Sequence, residues 1–282
     1  MFCTCATCGC GMCCDLWFVR HGETEDNVNG VAQGWQHGRL TNRGRAQAQK
    51  LAARLLRERF SHILISDLGR AVETFAPLRE AGWDCELSPM LREKAGGALE
   101  GGPIGQHAKE AAANGVPVRE FRPPGGGESW EDVAERAALF LKEVLCRFAQ
   151  PAELVDEVTA PGPPQVLVIT HGGFIKEVLN VAFAGSPKFA NASRNTSVYV
   201  LRVSPKREGT SVADAGSGRA VVTSQQPRLA GWMFELVVSN DASHLDPAKP
   251  DALSAGRHIL GAIAVGRQTA AAALRTAPRR AM

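Results

Sequence analysis

Basic side chains follow three apolar runs that the sequence predicts as buried strands. Arg20 and His21 come directly after the first run, Arg70 stands about one helical turn after the second, and His171 follows the last. In an open α/β sheet, ligands bind outside the carboxyl ends of the strands. These four side chains are therefore expected to converge on one pocket, although they are far apart in the sequence.

These residue types suit the transfer of a phosphoryl group. A phosphate monoester carries nearly two negative charges, and a planar guanidinium can bind two of its oxygens at once. A neutral imidazole can attack phosphorus, and the glycine after each histidine lets the backbone approach the phosphate. The leaving alkoxide needs a proton, for which Glu93 and Glu100 are the candidate donors.

The elements that must position this pocket alternate along the chain. Strands are predicted over residues 15–19, 62–65, 166–169, 198–201 and 233–237. Helices are predicted between them, and Thr41 and Ser129 have the character of helix N-caps. This alternation predicts an α/β fold, a three-layer α/β/α sandwich with a mainly parallel sheet.

The composition is typical of a soluble intracellular protein. The chain has 282 residues, of which 44% are hydrophobic, and a net charge of +3. So small a net charge indicates neither nucleic acid nor a membrane surface as a partner. No apolar run approaches the length of a transmembrane helix. No Lys or Arg precedes Arg20, so the basic region of a secretory signal is missing, and we expect a cytoplasmic protein.

Six of the eight cysteines lie within the first fourteen residues, a segment without any charged side chain before Asp15. A disulfide framework would spread its cysteines over the fold. A soft metal ion or acyl chains would suit this spacing, but a disordered extension is the simpler interpretation. Residues 1–14 are therefore predicted as an extension, 15–245 as the catalytic domain, and 246–282 as an Ala- and Arg-containing tail.

Several motifs resemble those of the histidine phosphatase superfamily, also called phosphoglycerate mutase-like. In chain order they are Phe18-Val19-Arg20-His21-Gly22-Glu23-Thr24 with Asn27, Gln33-Gly34, Leu40-Thr41, Ser66-Asp67-Leu68-Gly69-Arg70-Ala71, Leu91-Arg92-Glu93 with Glu100-Gly101, and Thr170-His171-Gly172-Gly173. Together they span roughly residues 16 to 183.

The resemblance implies a phosphoglycerate mutase-like fold and a reaction in which His21 becomes phosphorylated. It implies that Arg20, Arg70 and His171 bind the phosphoryl group. Glu93 would act as the general acid and then as the base for the water that releases phosphate. No metal ion and no cofactor would be needed. The residues implied to line the substrate site are Arg20, Gly22, Glu23, Thr24, Asn27, Gln33, Gly34, Arg70, Glu93, His171 and Gly172.

Weaker features resemble the fructose-2,6-bisphosphatase, or TIGAR-type, branch of the superfamily. They are the run 123–129 before a helix, Asn195-Thr196-Ser197 before a strand, and the late strand 234–238 with Asn240 and His244-Leu245 behind it. These features imply a small phosphorylated metabolite as substrate, such as fructose 2,6-bisphosphate.

Two departures from the family pattern bear on the substrate. Gly96 stands where an aromatic residue is common, and Arg39 replaces a frequent proline. A broad-specificity phosphomonoesterase and a phosphoglycerate mutase therefore remain as alternatives. The run Gly102-Pro103-Ile104 differs from the Leu-Asn-Lys-type continuation of the mutases, which favours a phosphatase.

Overall fold

The computed structural model describes residues 12–151, 163–183, 193–206, 221–223 and 229–246. The chain divides into a unit of residues 1–242, which holds every described strand and α-helix, and a unit of residues 243–282. In the second unit the described residues form one 3-10 turn, Ser243–Leu245.

Strands and helices alternate along most of the first unit. The described strands are β1 (Met12–Arg20), β2 (His62–Ile65), β3 (Glu86–Leu87), β4 (Gln150–Pro151), β5 (Gln165–Thr170), β6 (Val198–Pro205), β7 (Val221–Thr223) and β8 (Trp232–Asp241). The described α-helices are α1 (Glu25–Asn29), α2 (Asn42–Leu55), α3 (Gly69–Glu80), α4 (Gln106–Ala113), α5 (Trp130–Phe148) and α6 (Gly172–Ala182).

The strands form one mixed sheet in the order β3-β2-β5-β1-β6-β8-β7, with β4 paired to the start of β1. The neighbours β3, β2, β5 and β1 run parallel, as strands joined through helical crossovers do. The neighbours β6, β8 and β7 run antiparallel, and no helix is described between them. The predicted α/β fold is thus confirmed, and parallel pairing is confined to one half of the sheet.

Helices cover both faces of this sheet. Leu16 and Phe18 of β1 belong to the apolar cluster formed with α5 and α6, in which the Phe140 ring lies 6.3 Å from that of Phe18. Trp17 and Val19 alternate to the opposite face, where α2 packs against α3. Among the described residues, no helix is both long enough and apolar enough to cross a membrane.

The strand β1 begins three residues earlier than the sequence predicted. Cys14 is fully buried in the core cluster and pairs with Val203 of β6, and Cys13 pairs with Gln150 of β4. A free cysteine packs as a small apolar side chain, which is why it extends the strand here. This corrects the predicted boundary after residue 14, while residues 1–11 lie outside the described part of the chain.

The register of β1 against β5 fixes the position of both histidines. Arg20 pairs with Thr170, and the backbone N–H of His21 donates to the Thr170 carbonyl at 2.9 Å. The residues that follow these parallel strands are His21 and His171, and their ring centroids lie 5.2 Å apart. Two neighbouring strand ends thus deliver two imidazoles to one place.

A chain that begins at Met12 should be more stable than one that begins at Asp15. The shorter chain loses the buried Cys14 side chain and the pairing of residues 12–14 with β4 and β6. Burial of one apolar side chain contributes roughly 1–3 kcal/mol, so we expect the shorter chain to have a Tm about 2–10 °C lower. Thermal unfolding of the two chains measures the difference, and equal Tm values would show that residues 12–14 do not support the fold.

Candidate active site

His21 leaves β1 as a buried side chain with one ring nitrogen engaged. Only 3% of the residue is exposed, and its Nδ1 lies 2.7 Å from the Gly22 carbonyl oxygen. Because a carbonyl oxygen can only accept a hydrogen bond, Nδ1 must carry the ring proton. The other nitrogen, Nε2, keeps its lone pair and has no hydrogen-bond partner among the described residues.

The surroundings of His21 keep its imidazole neutral. Burial lowers the pKa well below the ordinary value of a histidine, and the positive charges of Arg70 and Arg20 lower it further. The hydrogen bond to the Gly22 carbonyl opposes this shift with a smaller effect. A neutral imidazole with a free lone pair is the form that can attack phosphorus.

Arg70, in the first turn of α3, places a buried guanidinium at the centre of the site. Its Nη1–H donates to the Gln36 carbonyl at 2.6 Å, its Nη2–H to the Gly34 carbonyl at 2.9 Å, and its Nε–H to Nδ1 of His171 at 3.1 Å. A guanidinium has five N–H groups, so two remain for a ligand. Burial lowers the pKa of Arg70 to about 10, so the group is still a cation at neutral pH.

Both ring nitrogens of His171 bind other side chains of the protein. Nδ1 accepts from Arg70, so the proton lies on Nε2, which donates to the Ser66 hydroxyl at 2.8 Å. Burial and the charge of Arg70 lower the pKa of His171 well below its ordinary value. Ser66 belongs to a motif that the sequence singled out, but its contact with His171 was not predicted.

Arg20 supplies the second guanidinium. Its Nη1–H donates to the Ser193 carbonyl, whereas its Nε is buried and has no partner within the part of the chain that the structure describes. A Cβ added to Gly172 would lie 3.4 Å from this Nε, so the arginine lies against the start of α6. A buried N–H without a partner is suited to an anionic ligand.

Glu93 lies close to both guanidiniums and is held by backbone amides. Its Oε1 accepts from the N–H of Lys94 and its Oε2 from the N–H of Gly173, both at 2.9 Å. The negative charge of Glu93 is the largest opposing effect on the lowered pKa values of Arg20 and Arg70. A Cβ at position 173 would lie 2.1 Å from Glu93 Oε1, so only glycine permits this approach.

Glu100, the second candidate acid, links two loops through hydrogen bonds to their backbone. Its Oε1 accepts from the backbone N–H of Trp35 at 2.9 Å and of Gly96 at 2.8 Å. Gly34, with φ of +52°, leaves room for this carboxylate, because an added Cβ would lie 2.1 Å from the same oxygen. Among the nearby charges that shift the pKa of Arg70, Glu100 has the smallest effect. The geometry therefore favours Glu93 over Glu100 as the acid.

The remaining predicted lining residues differ in where their side chains bind. The carboxylate of Glu23 accepts from the Thr41 hydroxyl at 2.9 Å and pairs with Arg43, so it is engaged away from the two histidines. Thr24 caps α1 and accepts a hydrogen bond from the Gln33 side chain at 2.9 Å. The Gly22 amide donates to Thr74, and the Gly34 carbonyl accepts from Arg70.

Asn195 joins Asn27 to the backbone of His21. Its Nδ2 donates to the His21 carbonyl and to Oδ1 of Asn27, each at 3.1 Å. The next residue, Thr196, has a positive φ of 56° and donates its N–H to the Arg20 carbonyl at 3.0 Å. The sequence marked this segment as a feature of one branch of the family but did not predict its contacts with the backbone of Arg20 and His21.

Together these side chains supply two guanidiniums, two neutral imidazoles and one carboxylate beside the carboxyl ends of β1 and β5. Such a set can bind a phosphoryl group, attack it with an imidazole and exchange a proton with the leaving group. Within the described residues, no three His, Cys, Asp or Glu side chains are grouped so that they could hold a metal ion.

Comparison with known proteins identifies the family. The family description "histidine phosphatase superfamily (branch 1)" matches residues 16–213, and the chain belongs to this superfamily. The match confirms the family that the motifs predicted and includes all five residues of the set above.

The relatives differ in the activity that their names state. Over 185 residues the chain is 32% identical to fructose-2,6-bisphosphatase TIGAR B of Danio rerio, covering 57% of this chain and 71% of that protein. Over 249 residues it is 29% identical to the probable phosphoglycerate mutase GpmB of Cronobacter sakazakii, covering 84% of this chain and 98% of that protein. A mycobacterial glucosyl-3-phosphoglycerate phosphatase superposes with a TM-score of 0.53 at 28% identity, covering 67% of this chain and 90% of that one.

We expect NMR to find His21 and His171 neutral at pH 6. Burial and the two arginines lower both pKa values, whereas a histidine of the unfolded chain titrates near about 6.5. Below that pH only the unfolded state takes up these protons, so stability should fall as the pH drops.

Ring nitrogen shifts of ¹⁵N-labelled protein from pH 5.5 to 8 measure both the charge and the proton position. The expected signals are those of a neutral His21 with its proton on Nδ1, assigned by their loss in His21→Asn. A midpoint near 6.5, or a proton on Nε2 of His21, would contradict the geometry described above.

Proposed function

We propose that this protein hydrolyses a small phosphate monoester through a phosphohistidine formed on Nε2 of His21. The observation that carries the proposal is the state of His21: buried, neutral, protonated on Nδ1 and free at Nε2. Arg20 and Arg70 lie close enough to lower the pKa of this ring, so a phosphoryl group bound by them would lie near the nucleophile.

In the first step Nε2 bonds to phosphorus while the bond from phosphorus to the substrate oxygen breaks. The two free N–H groups of Arg70 and the unpaired Nε–H of Arg20 bind the phosphoryl oxygens. His171 contributes by exchanging its Ser66 partner for a phosphoryl oxygen. Protonated Glu93 gives its proton to the leaving oxygen.

In the second step a water molecule attacks phosphorus and the bond to Nε2 breaks. Glu93, now a carboxylate, takes the proton of the water, and phosphate is released with His21 neutral again. Neither step requires a metal ion or a cofactor.

Fructose 2,6-bisphosphate is the substrate that we propose, in line with the identity to the Danio rerio phosphatase. The run 123–129, which resembles that branch, packs directly on the loop of the acid. Ala98 N–H donates to the Pro124 carbonyl at 2.8 Å, and the Glu128 carboxylate accepts from the Ala95 N–H at 2.9 Å. The segment that resembles that branch therefore contacts the turn after Glu93.

A phosphatase acting on phosphoglycerates or on many monoesters is the second candidate. The similarity to a mutase over most of both chains and to a glucosyl-3-phosphoglycerate phosphatase supports it. Measuring kcat/KM for a panel of phosphorylated sugars and glycerates separates the two. We expect fructose 2,6-bisphosphate to give the highest value. A higher value for a phosphoglycerate, or its isomerisation without phosphate release, would overturn the proposed substrate.

Glu93→Gln should slow the phosphorylation of His21 by sugar phosphates roughly 10²–10⁴-fold, the usual range for general acid–base catalysis. Phosphorylation by p-nitrophenyl phosphate should be slowed much less, because p-nitrophenolate leaves without a proton. Single-turnover phosphorylation rates are needed, since Glu93 also assists the hydrolysis that both substrates share.

Glu100→Gln is the matched control. It alters the carboxylate that holds the amides of Trp35 and Gly96, so we expect similar losses with both substrates. If Glu100→Gln shows the leaving-group dependence and Glu93→Gln does not, the two carboxylates exchange roles.

A further inference from the structure

Lys94, the residue after the proposed acid, carries a cation that pairs with no carboxylate of the described residues. Only 7% of the residue is exposed. Its backbone N–H donates to Glu93, but its ammonium group makes no hydrogen bond or ion pair with any residue in the described ranges. Lysine is rarely so buried unless it is paired, so the missing partner points to a ligand.

The carboxylates around Lys94 are engaged elsewhere. Glu128 binds Arg136 and the Ala95 amide, and Asp132 binds Arg122 and the Ser129 cap. Glu93 and Glu100, the other two acids near Lys94, accept from backbone amides, as described above. Burial lowers the pKa of Lys94 to about 8 in spite of all four carboxylates. The ammonium is thus mostly charged at neutral pH and incompletely compensated.

A second lysine lies at the same aromatic ring. Nζ of Lys94 is 5.7 Å from the Trp130 ring centroid, and Nζ of Lys176 is 5.9 Å from it. Both distances are near the outer limit of about 6 Å for a cation–π contact, which is weak at exposed sites. Contact with the ring alone therefore does not account for a lysine that is so largely buried.

This pair of lysines adjoins the proposed proton donor. Atom Cη2 of Trp130 would lie 2.9 Å from a Cβ at position 173, and the Gly173 amide binds the Glu93 carboxylate. The substrate oxygen that receives the proton must lie at Glu93, so the rest of the leaving group extends from there. Lys94 lies on this loop and Lys176 on α6, whereas Arg92, the residue before the acid, is paired with Asp67.

We propose that Lys94 and Lys176, on either side of Trp130, bind a second anionic group carried by the leaving part of the substrate. The group is a phosphate or a carboxylate, either of which supplies acceptor oxygens to an ammonium. This inference rests on the proposed function, and it restricts the substrate class to phosphate monoesters with a second negative charge.

The test compares substrates that differ in the second anion. The pairs are 3-phosphoglycerate with glycerol 3-phosphate, and fructose 2,6-bisphosphate with fructose 2-phosphate; phenyl phosphate reports the basal activity. In the wild type we expect the doubly anionic member of at least one pair to have the higher kcat/KM. Lys94→Met should reduce that preference about 10–100-fold, mainly through KM, as loss of a charged hydrogen bond does. Phenyl phosphate should be affected less than threefold.

Lys142→Met, at an exposed position of α5, is the matched control and should leave every preference unchanged. Lys176→Met, also at an exposed position, should lower the same preference less strongly and keeps the test open if Lys94→Met does not fold. Unchanged preferences in both Lys94→Met and Lys176→Met would overturn the subsite. If the wild type releases phosphate from none of the five compounds, the proposed function itself fails.

Discussion

The rest of the site depends on the hydrogen bonds and the positive charge of the Arg70 guanidinium. It is almost completely buried, and its hydrogen bonds reach the loop of Gly34 and Gln36 on one side and His171 on the other. A cation in that position has two consequences for its neighbours. It lowers the pKa values of His21 and His171, and it leaves two N–H donors that suit an anionic ligand.

The two imidazoles present different groups to the site because their hydrogen bonds differ. The Gly22 carbonyl holds the proton of His21 on Nδ1, whereas Arg70 occupies Nδ1 of His171 and moves its proton to Nε2. One ring therefore presents a lone pair and the other an N–H group. The parallel register of β1 and β5 brings the two rings together, so one sheet pairing positions both imidazoles.

The sequence was sufficient to predict that the two histidines and two arginines converge, because the site lies at the ends of strands with long apolar runs. His21 and His171 directly follow such runs, and the family motifs carry Arg70 and Glu93. Contacts between distant segments had no local signal. The hydrogen bond between Ser66 and His171 joins residues 105 positions apart, and that between Asn195 and His21 joins residues 174 positions apart. The unpaired state of Lys94 likewise depends on where α5 and α6 pack. The predicted β1 starts too late because Cys13 and Cys14 continue the cysteine spacing of the N-terminal segment.

The position of the phosphate on His21 tests the central claim most directly. Enzyme quenched during turnover with a ³²P-labelled monoester should yield one labelled peptide, containing His21, with an acid-labile and alkali-stable phosphate. Because Nδ1 is bound to the Gly22 carbonyl, NMR of the phosphopeptide should find phosphorus on Nε2, and His21→Asn should take up no label. Phosphate on Nδ1, on another residue, or on His21→Asn protein would contradict the account.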